Sequence, residues 1–295
     1  MKAPILEAQD LHYTYPGGHA ALQGISLKIR HGRRVAILGA NGAGKTTLFL
    51  CLNGLFKAAG GYILLDGVPA TYGRKASIEW RRRVGLVFQN PDDQIVAGNV
   101  LQDVAYGPRN LGFSPEESRQ KAREALAALN LTAREGASTH ELSFGARKLV
   151  AIAGVLAMQP DVMILDEPTS GIDPEGAKEV LTALEHIRKD GTTLLISTHD
   201  MDLAYEWADD VVVLAHGTTL RQGSTHDIFL DSGLLQCARL RQPWQPAMAA
   251  VLQKAGLLPA DACPRSRFEL LQAACTAHRP EQQLYSPQAS SQCDL

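Results

Sequence analysis

Gly39-Ala40-Asn41-Gly42-Ala43-Gly44-Lys45-Thr46 stands between a short apolar run, Arg34 to Leu38, and a stretch from Lys45 to Leu55 that can form a helix. It satisfies the pattern G-x-x-x-x-G-K-[ST] in the strand-to-helix context that gives the pattern its meaning. Glycines at 39, 42 and 44 let the backbone wrap an anion without Cβ clashes. Successive N–H groups and the start of the helix then point at negative charge. In such a cradle Lys45 reaches the β- and γ-phosphates of a nucleotide, Thr46 offers a hydroxyl to Mg²⁺, and Thr47 contacts the α-phosphate from the same turn. Asn41 belongs to the same loop.

Upstream, Ile5 to Leu11 and Ala21 to Ile29 alternate apolar and polar residues around Pro16-Gly17-Gly18, as two strands of an antiparallel sheet would. Further strand candidates are Gly61 to Leu65, Val84 to Phe88, Val162 to Leu165, Thr193 to Ser197 and Val211 to Leu214, with helical segments between the later ones. Such alternation predicts a parallel sheet covered by helices. Between about residues 90 and 160 the pattern is helical only, including Pro115 to Leu129 and Ala146 to Met158, and reads as a helical insertion. After Gly223 the periodicity weakens, and the polar, proline-containing tail RPEQQLYSPQASSQCDL from Arg279 is expected to be disordered.

Val162-Met163-Ile164-Leu165-Asp166-Glu167 is a buried strand ending in two carboxylates, which by alternation point in different directions. Asp166 can hold Mg²⁺ through its water shell, and Glu167 can face an in-line water as general base or positioning group. The carboxyl end of a strand is where open α/β sheets bind ligands.

Composition narrows the partners. The chain has 295 residues, 45% of them apolar, enough for a sizeable core. Its 29 Lys and Arg against 31 Asp and Glu leave no basic excess, which speaks against a nucleic-acid partner. The five cysteines, Cys51, Cys237, Cys263, Cys275 and Cys293, form no CxxC pair and suit a reducing cytosol. MKAPILEAQD has neither a basic region nor an apolar run, so no secretion or transit signal is expected. The longest apolar-rich stretch, Leu149 to Met158, is about half the roughly 20 residues that span a membrane, so any membrane role is peripheral. Cys263, Cys275, His278 and Cys293 are too irregularly spaced to read as a metal site.

The order of motifs over about residues 3 to 230 resembles that of ABC-transporter ATPases. It comprises the cradle at 39 to 46, Gln89, Leu142-Ser143-Phe144-Gly145, Asp166-Glu167-Pro168-Thr169-Ser170-Gly171-Ile172-Asp173, and Ile196-Ser197-Thr198-His199-Asp200. The resemblance implies an α/β fold: a RecA-like P-loop NTPase core with an N-terminal antiparallel β subdomain, a helical insertion and a short C-terminal extension. On that basis residues 1–235 form the ATPase domain, with a helical subdomain at about 90–160, and 236–295 an extension whose helices dimerise.

It also implies ATP and Mg²⁺, with Thr46, Gln89 and Asp166 at the metal. Tyr15 would stack on the adenine, Tyr13 being the neighbouring alternative. Gln89 resembles the glutamine whose loop senses Mg²⁺ and water and whose flanks touch a membrane subunit. His199 resembles the histidine that bonds the γ-phosphate and holds Glu167, and Asp173 the aspartate that crosses between subunits. The family's signature loop usually reads LSGGQ, and Phe144 and Ala146 depart from it here. Ser143 and the amide of Gly145, expected to grip a partner subunit's γ-phosphate, are both present. Ala146 lacks the amide that would reach the ribose, and Leu149 stands where related ATPases commonly carry arginine, so weaker ATP-driven closure is expected.

Val84-Gly-Leu-Val-Phe-Gln89-Asn-Pro-Asp-Asp-Gln94-Ile, Asp103-Val-Ala-Tyr-Gly-Pro108, and Ser143-Phe144-Gly145 followed by Val150 to Ala157 resemble a narrower branch, the energy-coupling-factor importers. Within it the similarity is greatest to the ATPase of cobalt importers that feed cobalamin synthesis, with nickel and vitamin importers as rivals. The implied partners are a second ATPase chain, identical or paired, an integral membrane coupling protein and a substrate-capture membrane protein, at the cytoplasmic face. Two readings of another class are a soluble ABC ATPase working on nucleic acid or ribosomes, and a nucleotide-binding regulator with little hydrolysis. The near-neutral charge speaks against the first, and the presence of both Glu167 and His199 against the second.

Overall fold

The computed structural model describes residues 3–277, in two compact units that divide between Gln242 and Pro243. In the first unit β1 (Leu6–Thr14) and β2 (Ala20–Ile29) pair antiparallel across the Pro16-Gly17-Gly18 turn, burying Leu6, Ala8 and Leu11 with Ile25, Leu27 and Ile29. β3 (Arg34–Leu38) runs into the glycine-rich loop and α1 (Lys45–Leu52). This helix stops short of Leu55 because Asn53 turns its amide to the Val84 carbonyl at 2.6 Å.

β4 (Gly60–Leu65) is a correction. It lies outside the parallel sheet, in an antiparallel one of order β2-β1-β4-β5, with β5 at Val68–Pro69. Only Ile63 and Leu65 of β4 are buried. That half-buried pattern belongs to a one-sided antiparallel sheet, whereas parallel strands are buried on both faces.

After α2 (Arg74–Arg83) and β6 (Val84–Val87) comes the helical insertion: a 3₁₀ turn at Pro91–Asp93, α3 (Val100–Val104), α4 (Tyr106–Asn110), α5 (Pro115–Ala128) and α6 (Phe144–Leu156). Ser114 and Glu117 form a reciprocal capping box on α5. α6 begins at Phe144, before the expected Ala146, because Ser143 caps it and accepts the Ala146 N–H at 3.2 Å. The chain then returns through β7 (Val162–Leu165), α7 (Pro174–Lys189), β8 (Thr193–Ser197), α8 (Met201–Trp207), β9 (Asp210–Ala215) and β10 (Thr218–Ser224), and α9 (Thr225–Phe229) and α10 (Ser232–Cys237) follow.

The main sheet has the order β10-β9-β3-β8-β7-β6, parallel except for β10 at its edge. Successive residues of its strands enter different cores. Ala36, Leu38, Leu165 and Ile196 face one apolar cluster, and Val35, Ile37, Ile164 and Leu195 face the other. In the second unit α11 (Trp244–Lys254) and α12 (Arg267–Ala277) gather around Ala249, Leu258 and Leu270, leaving Val251, Phe268 and Leu271 exposed. The tail from Arg279, with Cys293, and His278 lie outside the described residues. Among the described residues no helix is long and apolar enough to cross a membrane.

Gly61 sits at φ +82° opposite an irregularity of β1 at Asp10, and a Cβ there would come within 2.3 Å of the Asp10 carbonyl oxygen. Gly61→Ala should therefore destabilise the fold by about 2 kcal/mol or more. Urea unfolding checks this, and an unshifted midpoint would refute it.

Candidate active site

β3, β8 and β7 are adjacent and parallel, so the loops at their carboxyl ends meet. These loops carry the glycine-rich cradle, Thr198-His199 and Asp166-Glu167. With Tyr15 and His19 from the turn between β1 and β2, Ala21 from β2, and Gln89 after β6, they line a cavity of about 590 Å³. A groove of like volume lies at the amino ends of β6, β7 and β8, beside Arg83, Asp161 and Thr192. Open α/β sheets bind ligands at the carboxyl ends, which selects the first cavity.

Gly44 has φ +101°, and a Cβ on it would stand 2.8 Å from the Ala21 carbonyl oxygen, so the cradle requires glycine there. Lys45 opens α1 and is nearly buried, its Nζ donating to the carbonyls of Gly39 at 2.7 Å and Ala40 at 3.3 Å. Burial pulls this ammonium below the usual lysine range, against the attraction of Glu167 and Asp166.

Asp166 is buried at the end of β7 and accepts the Thr46 hydroxyl on Oδ2 at 2.6 Å and the Ser197 hydroxyl on Oδ1. Ser197 is fully buried at the end of β8, and its Oγ also accepts the Glu167 N–H at 2.8 Å. The oxygen donors of Thr46, Asp166 and Gln89 share the cavity and match the hard-ligand preference of Mg²⁺, so the residues fit that ion.

Glu167 has φ +46°, a left-handed backbone uncommon outside glycine. Its neighbours enforce it. Besides the Ser197 bond on the N–H, its carbonyl accepts Lys148 Nζ at 2.8 Å and the Ser170 N–H at 3.2 Å. Its carboxylate Oε2 lies 2.8 Å from His199 Nδ1, which donates to it when the glutamate is ionised. Lys148 is fully buried, and burial pushes its ammonium down to about 8.

The Tyr15 hydroxyl is 3.0 Å from Thr47 Oγ1, and the Tyr15 ring faces the cavity beside His19. Tyr13 instead stacks on Phe56 with centroids 4.9 Å apart, within the apolar layer. Ser143, Gly145 and Asp173 do not line this cavity. Ser143 caps α6, and Asp173 caps α7 by accepting the Gly176 N–H at 2.7 Å.

Four residues escaped the sequence reading. His19 lies in a turn with no motif. Ser197 stands at a strand end two residues before His199, which is the one signal in the sequence for its role. Lys148 follows an arginine on a helix, where two cations suggest solvent. Gln94 accepts the Phe88 N–H at 3.0 Å and donates to the Leu86 carbonyl at 3.3 Å. Its amide thus occupies the free edge of β6 and fixes the segment that carries Gln89.

The profile of the ABC transporter family matches residues 22–170. The energy-coupling factor transporter ATP-binding protein EcfA of Methanocaldococcus jannaschii is 46% identical over 255 residues, 86% of this chain and 91% of that protein. The chain belongs to the ABC transporter family. EcfA of Methanococcus maripaludis is 45% identical, covering 85% of this chain and 90% of its own length. The structure of cbiO1 from Clostridium perfringens, described as part of the ABC transporter complex cbiONQ, matches with a TM-score of 0.72 and 39% identity over 85% of this chain and 99% of that one. The ATP-binding cassette MJ0796, solved as a dimer bound to ADP and Pi, matches with a TM-score of 0.67 and 26% identity over 75% of this chain and 98% of that one. ABC ATPases hydrolyse ATP to power transport, and this chain has their α/β core with its antiparallel β subdomain.

In this ABC ATPase, Ser197→Ala would leave two buried polar groups, Asp166 Oδ1 and the Glu167 N–H, each short of a partner. The expected loss of stability is about 1–3 kcal/mol. Urea denaturation with the far-UV spectrum unchanged would show it, and an unshifted midpoint would mean that the two bonds contribute nothing.

Proposed function

We propose that this chain is the ATP-hydrolysing engine of an energy-coupling-factor importer and that its cargo is cobalt ion. One arrangement carries the reading: a Glu167 carboxylate held by His199 at 2.8 Å, in one cavity with Lys45 and the Asp166–Thr46 pair. A regulator that only binds nucleotide would have no chemical need for the Glu167–His199 pair.

In this reading Lys45 takes the β- and γ-phosphates and Thr47 the α-phosphate, while Gly39, Asn41, Gly42 and Gly44 wrap them in backbone. Tyr15 stacks on the adenine. Glu167 orients the attacking water and accepts its proton, and His199 holds Glu167 and reaches the γ-phosphate. Thr46, Asp166 and Gln89 would hold Mg²⁺, which when bound would neutralise charge on the phosphates.

Ser143 and Gly145 lie outside their own chain's cavity, which supports their serving the nucleotide of a second copy or a paired ATPase. Two chains would sandwich two ATPs, with Asp173 at the shared surface and α11 and α12 stabilising the pair. ATP binding closes the sandwich and hydrolysis releases it. Ala146 and Leu149 make that closure weaker than an LSGGQ loop followed by arginine would. The engine sits peripherally at the cytoplasmic face, docked on a membrane coupling protein whose companion captures the substrate. The cobalt assignment rests on Ser143-Phe144-Gly145 followed by Val150 to Ala157, and on the 39% identity to cbiO1.

The test co-expresses the chain with its neighbouring membrane proteins and follows radiolabelled cobalt and nickel uptake with ATP turnover. Glu167→Gln is expected to lower turnover by roughly a hundredfold or more while ATP binding persists, and to end cobalt uptake. Uptake of nickel alone would overturn the cargo. ATP binding without uptake or membrane association would overturn the transporter reading.

A further inference from the structure

We infer that Lys148 is a positioning residue for ATP hydrolysis: from the signature helix α6 it fixes the backbone on which Glu167 stands, with Phe144 as its cover. The inference rests on the reading of Glu167 as the carboxylate that activates water.

A fully buried lysine needs a reason. Lys148 has no carboxylate within ion-pair distance among the described residues. Its Nζ is spent on two backbone carbonyls of one short turn, Glu167 at 2.8 Å and Ser170 at 3.5 Å. A methionine would fill nearly the same space without desolvating a charge, so the ammonium works against stability and is accounted for by what it orients. What it orients is the strained residue of the site. Glu167 keeps φ +46° because its peptide groups are over-determined: Ser197 on the N–H, and Lys148 with the Ser170 N–H on the carbonyl. Released at the carbonyl, the turn can relax and carry the carboxylate away from His199.

Phe144 completes the arrangement. Its ring lies 5.6 Å from Lys148 Nζ and packs so closely on Gly171 that a Cβ there would meet the ring at 3.2 Å. The aromatic face favours the cation and keeps water from it. The departure from the usual signature glycine is thereby part of the support for the chain's own carboxylate. One end of α6 then serves two nucleotides: Ser143 and Gly145 a partner's, Lys148 its own.

The test measures single-turnover ATP hydrolysis, equilibrium ATP affinity and melting temperature for the full-length chain as wild type, Lys148→Met, Lys148→Arg, Glu167→Gln and the Lys148→Met/Glu167→Gln pair. Lys148→Met is expected to bind ATP within about twofold of wild type yet hydrolyse it roughly tenfold to a hundredfold more slowly, since a misplacement of about 1 Å suffices for such a loss. Lys148→Arg, which keeps a donor, should recover part of the rate. In the Glu167→Gln background Lys148→Met should change the residual rate by less than about twofold, because the link runs through the missing carboxylate.

A wild-type hydrolysis rate in Lys148→Met, or an equal loss in both backgrounds, would overturn the inference. Wild-type turnover in Glu167→Gln would instead overturn the underlying reading of Glu167, whatever Lys148 does. Should Lys148→Met fail to fold, Phe144→Leu keeps the apolar cover and loses the aromatic face. A slower hydrolysis step at unchanged ATP affinity there supports the inference, and an unchanged step overturns it.

Discussion

The hydroxyls of Thr46 and Ser197 both end on the buried Asp166 carboxylate, and this junction ties the three strand ends that form the site. Thr46 belongs to the helix after β3, Asp166 to the end of β7 and Ser197 to the end of β8, three strands adjacent in the sheet. A carboxylate buried this deeply is tolerated only when its oxygens are satisfied. The two hydroxyls meet that demand and thereby set the cradle and the Glu167 turn in register. Sheet order and hydrogen bonding act together here, because the adjacency of β3, β8 and β7 brings both hydroxyls to Asp166.

From that junction the order spreads along the backbone. Ser197 bonds Glu167 as well as Asp166, so the residue that anchors the Asp166 carboxylate also sets the Glu167 peptide. His199, two residues on, meets the Glu167 carboxylate from the same loop. The helical insertion reaches the same turn from outside. Arg147 and Lys148 are consecutive on α6 and diverge, Arg147 to 2.9 Å from Asp92 in the segment after Gln89, and Lys148 to the Glu167 carbonyl. The helix that presents the signature residues is thus tied to the segment after Gln89 and to the Glu167 turn.

Two apolar layers hold this geometry. Because consecutive residues of β3, β7 and β8 enter opposite cores, neither face of the sheet can shift without disturbing the other. The antiparallel sheet packs on one of those layers and carries Tyr15 to the rim of the cavity, while the stacking of Tyr13 on Phe56 anchors the strand that leads there.

The sequence by itself determined the cradle, the two carboxylates and the histidine, because each is written in contiguous residues whose spacing is dictated by backbone geometry. It likewise determined β1, β2 and the buried strands, whose hydrophobic periods are local. It misplaced β4, since an apolar run does not state which strand it will pair with, and it began α6 late, since the cap at Ser143 becomes visible only when its oxygen finds the Ala146 N–H. Only the tertiary structure put Tyr15 on the cavity and Tyr13 against Phe56, gave Ser197 and Gln94 their partners, and buried Lys148 against a carbonyl 19 positions away in the chain. Those assignments depend on which atoms distant segments bring within about 3 Å of each other, and a one-dimensional pattern carries no such distances.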